Sequence, residues 1–336
     1  MVKRRVFLGM PISWFHYSLL LIFFLITGCH SFSKSVNSSG FTVTETNGLV
    51  QVDWNGKLLS AYHFRDVSRP FVYPLLGPDD VHLTRRWPQE TVLNEEHDHP
   101  HHHALWWAHG DVNGDDFWSE SPKAGRTVHQ HFTQQTGGRR AVIAARNKWI
   151  NKVGNVVAED ERRLIFYPPT ADLRTMDFEI TVFAGKQDLV LGDTKEGTMA
   201  IRLAETMRLV RGDKSLGQGQ IFNAAGDRNQ ATWGKRAAWC DYSGPVESGI
   251  YGVTMIDHPT NPRYPTWWHV RDYGLFAANP FGVHDFEKKA KGTGDLRIKA
   301  GELITFRYRL LLHKGELKSV NIENFHMAFA AEKRVP

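Results

Sequence analysis

From Phe41 onward, apolar and polar residues alternate with a period of two through most of the chain. The runs 41–45, 49–54 and 57–64 are separated by Asn47-Gly48 and Asn55-Gly56. Asn-Gly between alternating runs favours tight hairpin turns, whose central residues need positive φ. The domain is therefore expected to open as a β-meander. Further strands are expected over 141–153, 156–167, 189–192, 197–204, 237–242, 249–257, 273–278 and 302–313, with Gly137-Gly138 and Gly154-Asn155 as turns. The cleanest alternation runs from Met176 to Ala184, with Met176, Phe178, Ile180, Val182 and Ala184 on one side. No long amphipathic helix is expected, only short helical pieces near 204–211 and 319–331. Residues 65–87 and 215–234 read as loops. There is no repeat at a period of about 20–50 residues. The expected fold class is all-β: a single large antiparallel β-sandwich over 41–318, followed by a tail over 319–336.

The first residues belong to a different pattern. Lys3, Arg4 and Arg5 precede an apolar run that ends in Ile26-Thr27-Gly28-Cys29. This resembles a bacterial lipoprotein signal box, with 1–28 as signal peptide, Cys29 as the lipidated residue and 29–40 as tether. The alternative, a membrane-spanning anchor, fits less well because the apolar stretch is short and contains His16. The expectation is an exported lipoprotein, membrane-anchored on the periplasmic side or at the cell surface. Charge agrees with that picture. Forty-one Lys and Arg against 36 Asp and Glu give +5, and without Lys3, Arg4 and Arg5 the balance is 38 against 36, or +2. So small a surplus gives no footing for nucleic acid. Cys29 and Cys240 are the only cysteines, so a lipidated Cys29 leaves no internal disulfide and Cys240 reads as a buried thiol.

Candidate chemistry concentrates between Glu96 and Trp118. Six of seventeen histidines fall there, at 97, 99, 101, 102, 103 and 109, among Asp98, Asp111, Asn113, Asp115 and Asp116. Such groups cost free energy if buried unpaired, so a hydrogen-bond network, a metal or a polar ligand is expected to repay them. Pro100 argues for a loop through about His102 and a strand from Ala104, with Gly110 and Gly114 marking the turn beyond. Three readings stand. His99, His101 and His109 converge on a divalent metal, although the spacing matches no strong metal signature. Alternatively, the imidazoles exchange protons with a hydroxylated, sugar-like ligand. The third reading is a solvated structural loop.

Two other stretches add ionisable groups. Asp193-Thr194-Lys195-Glu196-Gly197 follows an apolar strand, which puts Lys195 and Glu196 at a sheet edge as an acid/base pair or as a solvated turn. Trp267-Trp268-His269-Val270-Arg271-Asp272-Tyr273 mixes aromatic platforms with charge, as a carbohydrate site would. A core Trp pair beside an Arg-Asp ion pair is equally consistent with it. Asp257-His258-Pro259 reads as an ordinary loop.

The run from Asp98 to Gly114 with Phe117-Trp118, the run from Asp193 to Gly197 and the run from Trp268 to Gly282 together resemble the PmoA-like family of bacterial proteins. The resemblance covers about 41–313. The family motif has Arg where this chain has His103, which bears on any ligand site carried over there. The family's label is that of a methane oxygenase subunit, but such a membrane subunit needs several apolar spans and this chain has one short apolar run. The resemblance instead implies a β-sandwich found in bacteria that degrade complex polysaccharides. Its organisation is similar to a galactose-mutarotase-like supersandwich, where His and acidic residues act on a sugar in an open groove.

The expected function is to act on or bind a carbohydrate, by proton transfer at a sugar carbon or at a glycosidic oxygen (epimerase, lyase or hydrolase type). His99, His101, His102, His109, Lys195, Glu196 and His269 are the catalytic candidates, with Glu196 as partner of a histidine. Arg85, Trp107, Asp111, Asn113, Trp268, Arg271, Tyr273 and Asn279 are the substrate-binding candidates, with Arg271 as charge stabiliser. The alternatives are a non-catalytic sugar-binding lipoprotein and a metal-dependent oxidoreductase or hydrolase.

Overall fold

The second Asn-Gly pair takes the backbone its residues favour, with φ of 50° at Asn55 and 79° at Gly56. In a computed structural model, which describes residues 39–316 and 322–333, these turns connect the meander β1 (Phe41–Thr46), β2 (Leu49–Trp54) and β3 (Lys57–His63). The first sheet continues through β4 (Phe71–Leu75) and β5 (Leu105–His109). It ends with β11 (Gly197–Arg202), β16 (Leu275–Asn279) and β15 (Trp267–Val270), giving the order β1-β2-β3-β4-β5-β11-β16-β15. The expected signal peptide, lipidated Cys29 and most of the tether lie outside the described residues.

The second sheet also has eight strands. They are β6 (Arg126–Thr136), β7 (Ala141–Ile150), β8 (Val156–Phe166), β9 (Leu173–Ala184), β12 (Gln220–Asn223), β13 (Trp239–Val246), β14 (Gly249–Asp257) and β18 (Leu303–Lys314). Their order is β12-β13-β14-β18-β9-β8-β7-β6, and β10 (Leu189–Leu191) pairs separately with β17 (Leu296–Ile298). The strand pairings are antiparallel throughout. The chain is thus an all-β sandwich, as its alternation implies. Among the described residues no helix is long and apolar enough to cross a membrane.

The core fills from both inner faces. Met176, Phe178, Ile180, Val182 and Ala184 all enter it, as do Leu105 and Trp107 from the first sheet. Trp107 meets Phe306 and Tyr308 of the opposite sheet with ring centres 5.0 and 6.2 Å apart. On the outer face of the second sheet, Arg307 and Arg309 pair with Glu179 and Asp177 at 2.8 and 2.7 Å. Helix α2 (Ile322–Ala331) covers part of that sheet, inserting Ile322 and Phe329 against Trp239, Ile256 and Leu311. The short helix α1 (Val283–Glu287) follows β16.

The outer face of the first sheet is built differently. Register aligns Trp106, Ala200, Ala277 and His269 in one row across β5, β11, β16 and β15. Ala104, Ala108, Ala200 and Ala277 form a second apolar cluster there with Trp106, Trp118, Phe71, Tyr73 and Leu275. Period two turns Ala104, Ala108, Ala200 and Ala277 outward, beside inward side chains such as Leu105, Trp107 and Phe276. The alanines leave room above the sheet that the preceding and following loops fold over.

Candidate active site

Over this outer face lies a cleft of about 530 Å³, lined by His99, His101, His102, Gly110, Asp116, Trp118, Ser119, Lys195, Glu196, His269, Arg271 and Tyr273. Three distant segments that the sequence singles out therefore meet at one place. His99 to His102 come from the loop before β5, and Gly110 to Ser119 from the loop after it. Lys195 and Glu196 precede β11, His269 lies on β15, and Arg271 and Tyr273 sit in the turn into β16, which Gly274 N closes on Arg271 O at 3.1 Å.

Asp98 organises the histidine loop. Its Oδ1 accepts from Arg202 Nη2 at 2.8 Å and from Arg85 Nη1, and its Oδ2 is bonded to His99 Nδ1 at 2.7 Å. Burial on its own would raise this carboxyl, but the His99 bond and the two guanidiniums hold it far below the usual carboxylate range. An ionised carboxylate only accepts, so His99 carries a proton on Nδ1, and Nε2 is the nitrogen left to meet a ligand. The His99 ring stacks between His102 and Tyr273, with centres 4.6 and 5.5 Å away. Arg202 also reaches His102 Nδ1 at 3.3 Å and lies 4.8 Å from the Tyr273 ring centre.

His269 is fixed in the opposite sense. The indole of Trp233 donates Nε1–H to His269 Nδ1 at 3.0 Å. Since an indole N–H cannot accept, Nδ1 holds the lone pair and Nε2 carries the proton. Burial first, then the charges of Arg271 and Lys195, push its pKa down to about 3. Burial and the nearby Arg69 lower His101 to about 4, and burial and Arg202 drive His102 lower still. These three imidazoles are neutral at pH 7.

Lys195 and Glu196 pair with each other at 2.9 Å, so Glu196 answers the neighbouring ammonium and no histidine. Their loop is held at several points. Gly110 N donates to Glu196 O at 2.7 Å, Asn279 Nδ2 to Thr194 O at 3.0 Å, and Lys195 N to Asp285 Oδ2 at 3.0 Å. On the other side, Asp116 Oδ1 accepts from the amides of Trp118 and Ser119 at 2.7 and 3.0 Å. Arg69 binds Trp118 O at 2.6 Å and His101 O at 3.4 Å, which ties two lining segments together.

Seven expected site residues do not reach the cleft. Trp107 and Trp268 point inward into the sandwich core, Trp268 donating to Ala237 O at 3.0 Å. His109 shares their side of the sheet, packs 4.5 Å from the Phe281 ring centre and meets Gly192 O at 2.9 Å. It is therefore parted from His99 and His101. Among the described residues no group of three or more His, Cys, Asp or Glu side chains is placed to hold a metal. Asp111 closes its own turn by accepting from Gly114 N at 2.9 Å, and Asn113 bonds Val190 N at 2.7 Å. Arg85 lies buried beneath the histidine loop, on Asp98 and His99 O. Asn279 is buried and caps Phe281 N and Gly282 N at 2.8 and 3.2 Å. Arg85 and Asn279 position the lining without forming it.

Sequence reasoning passed over Arg69, Arg202 and Trp233, and named Asp116 only as one acid of the histidine-rich stretch. Arg202 was legible, since Thr198, Ala200 and Arg202 alternate with the apolar Met199 and Ile201. His103 turns away from the cleft to bond Glu120 at 2.7 Å and stack on Phe71.

A glycoside hydrolase family 97 enzyme variant from Pseudoalteromonas sp. strain K8 aligns over 83% of this chain and 34% of its own, with 8% identity and a TM-score of 0.31. This chain thus spans about a third of that enzyme's length. A GalM/aldose epimerase homologue from C. elegans aligns over 82% of this chain and 98% of its own, with 7% identity and a TM-score of 0.29. No curated protein matches in sequence. A family profile matches residues 49–326, and the chain belongs to that family, the family of unknown function DUF6807.

Proposed function

We propose that the cleft binds a carbohydrate and transfers a proton at one of its carbons. The observation that carries this reading is the pair of imidazoles fixed in opposite states. His99 donates its Nδ1–H to Asp98 and presents Nε2, while His269 accepts the Trp233 hydrogen at Nδ1 and offers a hydrogen at Nε2. The first is a base. The second, kept neutral, donates a hydrogen bond to an oxygen on which negative charge develops. Arg271 adds fixed positive charge to the same cleft. The lining mixes donors and acceptors with the ring faces of Trp118 and Tyr273, and its volume lies within the range of small-molecule sites, about 300–1,000 Å³. A hydroxylated ring suits both features.

The test is hydrogen exchange. The full-length protein is incubated in D2O with a panel of neutral and acidic sugars, and loss of individual C–H signals is followed by NMR. Exchange that vanishes in His99→Gln and slows in His269→Gln supports the proposal. Sugar binding with no exchange leaves a sugar-binding protein, and no sugar binding at all removes the reading.

The PmoA-like resemblance rests on motifs that frame this cleft, and we carry it as part of the proposal. Export and anchoring through a lipidated Cys29 belong to it as well. Metabolic labelling with a fatty acid should mark the wild-type chain and miss Cys29→Ala.

A further inference from the structure

Arg271 is the cation in the cleft that no acid answers. Among the described residues no carboxylate pairs with its guanidinium, which lies over the Tyr273 ring at 5.4 Å. The arginines around it are all engaged: Arg85 and Arg202 with Asp98, Arg69 with Glu120, and Arg208 with Glu96 and Glu205. Charge here is in surplus. Asp98 serves two guanidiniums, Glu196 is taken up by Lys195, and Asp116 is committed to the amides of Trp118 and Ser119. Arg271 and Lys195 line the same cleft as His269. A guanidinium with its fork free matches a planar anion, held by two parallel bonds.

We propose that the ligand is a uronic acid, or a saccharide containing one, whose carboxylate is gripped by Arg271 beside Lys195. This rests on the reading of the cleft as a sugar site and narrows it. The hydrogen on the carbon next to the carboxylate then becomes the one the cleft can remove. That C–H bond breaks, its electrons pass into the carboxylate as an enolate, and the proton goes to His99 Nε2. Arg271 and Lys195 offset the added negative charge. Return of a proton from the imidazolium re-forms the C–H bond with no co-reactant. Where the next ring carbon bears a glycosidic oxygen, the electron pair instead forms a C=C bond and expels that oxygen, which takes the proton from His99.

The experiment compares three matched disaccharides whose end residue is glucuronate, glucose or glucose 6-sulfate, titrated calorimetrically into full-length wild type, Arg271→Gln and Arg271→Lys. The expected result is glucuronate binding about tenfold or more tighter than glucose. That margin should collapse in Arg271→Gln and return only in part in Arg271→Lys. Equal affinities, or a margin that survives Arg271→Gln, overturn the carboxylate assignment while leaving a sugar site. A preference for the sulfate over the carboxylate overturns it too. If none of the three binds, the sugar reading falls and takes this inference with it.

Discussion

Trp233 and His269 are joined by one hydrogen bond of 3.0 Å that leaves the proton of the neutral imidazole on Nε2. Trp233→Phe keeps an aromatic ring and removes the donor. His269 is then free to exchange tautomers, and any proton-exchange activity should fall about ten- to a hundredfold, by analogy with the outer partners of metal-bound histidines. Nitrogen-15 NMR of the His269 ring checks the cause. A ring that stays protonated on Nε2 in the variant would show that Trp233 does not set the tautomer.

Asp98→Asn should be far more disruptive to the fold than His99→Gln. The first leaves the buried guanidiniums of Arg85 and Arg202 without their shared counter-charge, a loss of about 3–5 kcal/mol when one side of a buried pair is removed. The second alters a ring that is 41% exposed. His99→Gln should leave urea unfolding nearly unchanged while lowering turnover by about 10²–10⁴, the usual contribution of a general base. Unfolding free energies of the two variants, measured side by side, settle the comparison.

Two sets of histidines should respond to pH with opposite sign. Burial and neighbouring cations depress His101 and His269, and burial depresses His109. Their stabilisation is complete above the unfolded value of about 6.5, and it is lost as pH falls from there toward 3–4. Each contributes a slope of about 1.4 kcal/mol per pH unit within that window. In His313, burial acts downward, but Asp241, bonded at 2.8 Å, outweighs it and raises the pKa. Its stabilisation is complete below about 6.5 and is lost as pH rises through the raised value. The difference in unfolding free energy between wild type and His313→Gln should therefore shrink with increasing pH, whereas that for His269→Gln should shrink with decreasing pH.

Gly110→Ala should weaken ligand binding through Glu196. A Cβ at Gly110 would lie 2.8 Å from Glu196 Cβ and 3.0 Å from its carbonyl oxygen, so the Lys195–Glu196 segment has to move. Overpacking of this kind costs about 1–3 kcal/mol. Thermal unfolding and uronate titration of the same preparation should show a modest loss of stability beside a larger loss of affinity.

The meander, the long β9 and the strand after Ala104 could be read from the chain because Asn-Gly turns and period-two alternation are local signals. The meeting of His99, Lys195 and Arg271 was anticipated from motifs, and it depends on β11 lying between β5 and β16, which no local pattern announces. Trp107, Trp268 and His109 illustrate the limit. Alternation says that neighbours point to opposite sides, but only the second sheet decides which side is interior, and Phe306 and Tyr308 claimed Trp107. Trp233 gave no sign of its role, because it lies in a stretch that reads as a polar loop and its partner is 36 positions away.

The ion pair between Arg202 and Asp98 spans 104 positions, and the bond from Asn279 to Thr194 spans 85. Hairpins such as β1–β2 and β7–β8 close small loops and can zip early, while contacts of high sequence separation carry a larger entropic toll and form slowly. During refolding from denaturant, circular dichroism should thus recover before ligand affinity does. Capture of a fluorescent uronate would then serve as a clock for the final stage of maturation, marking the moment at which β11 docks between its two neighbours.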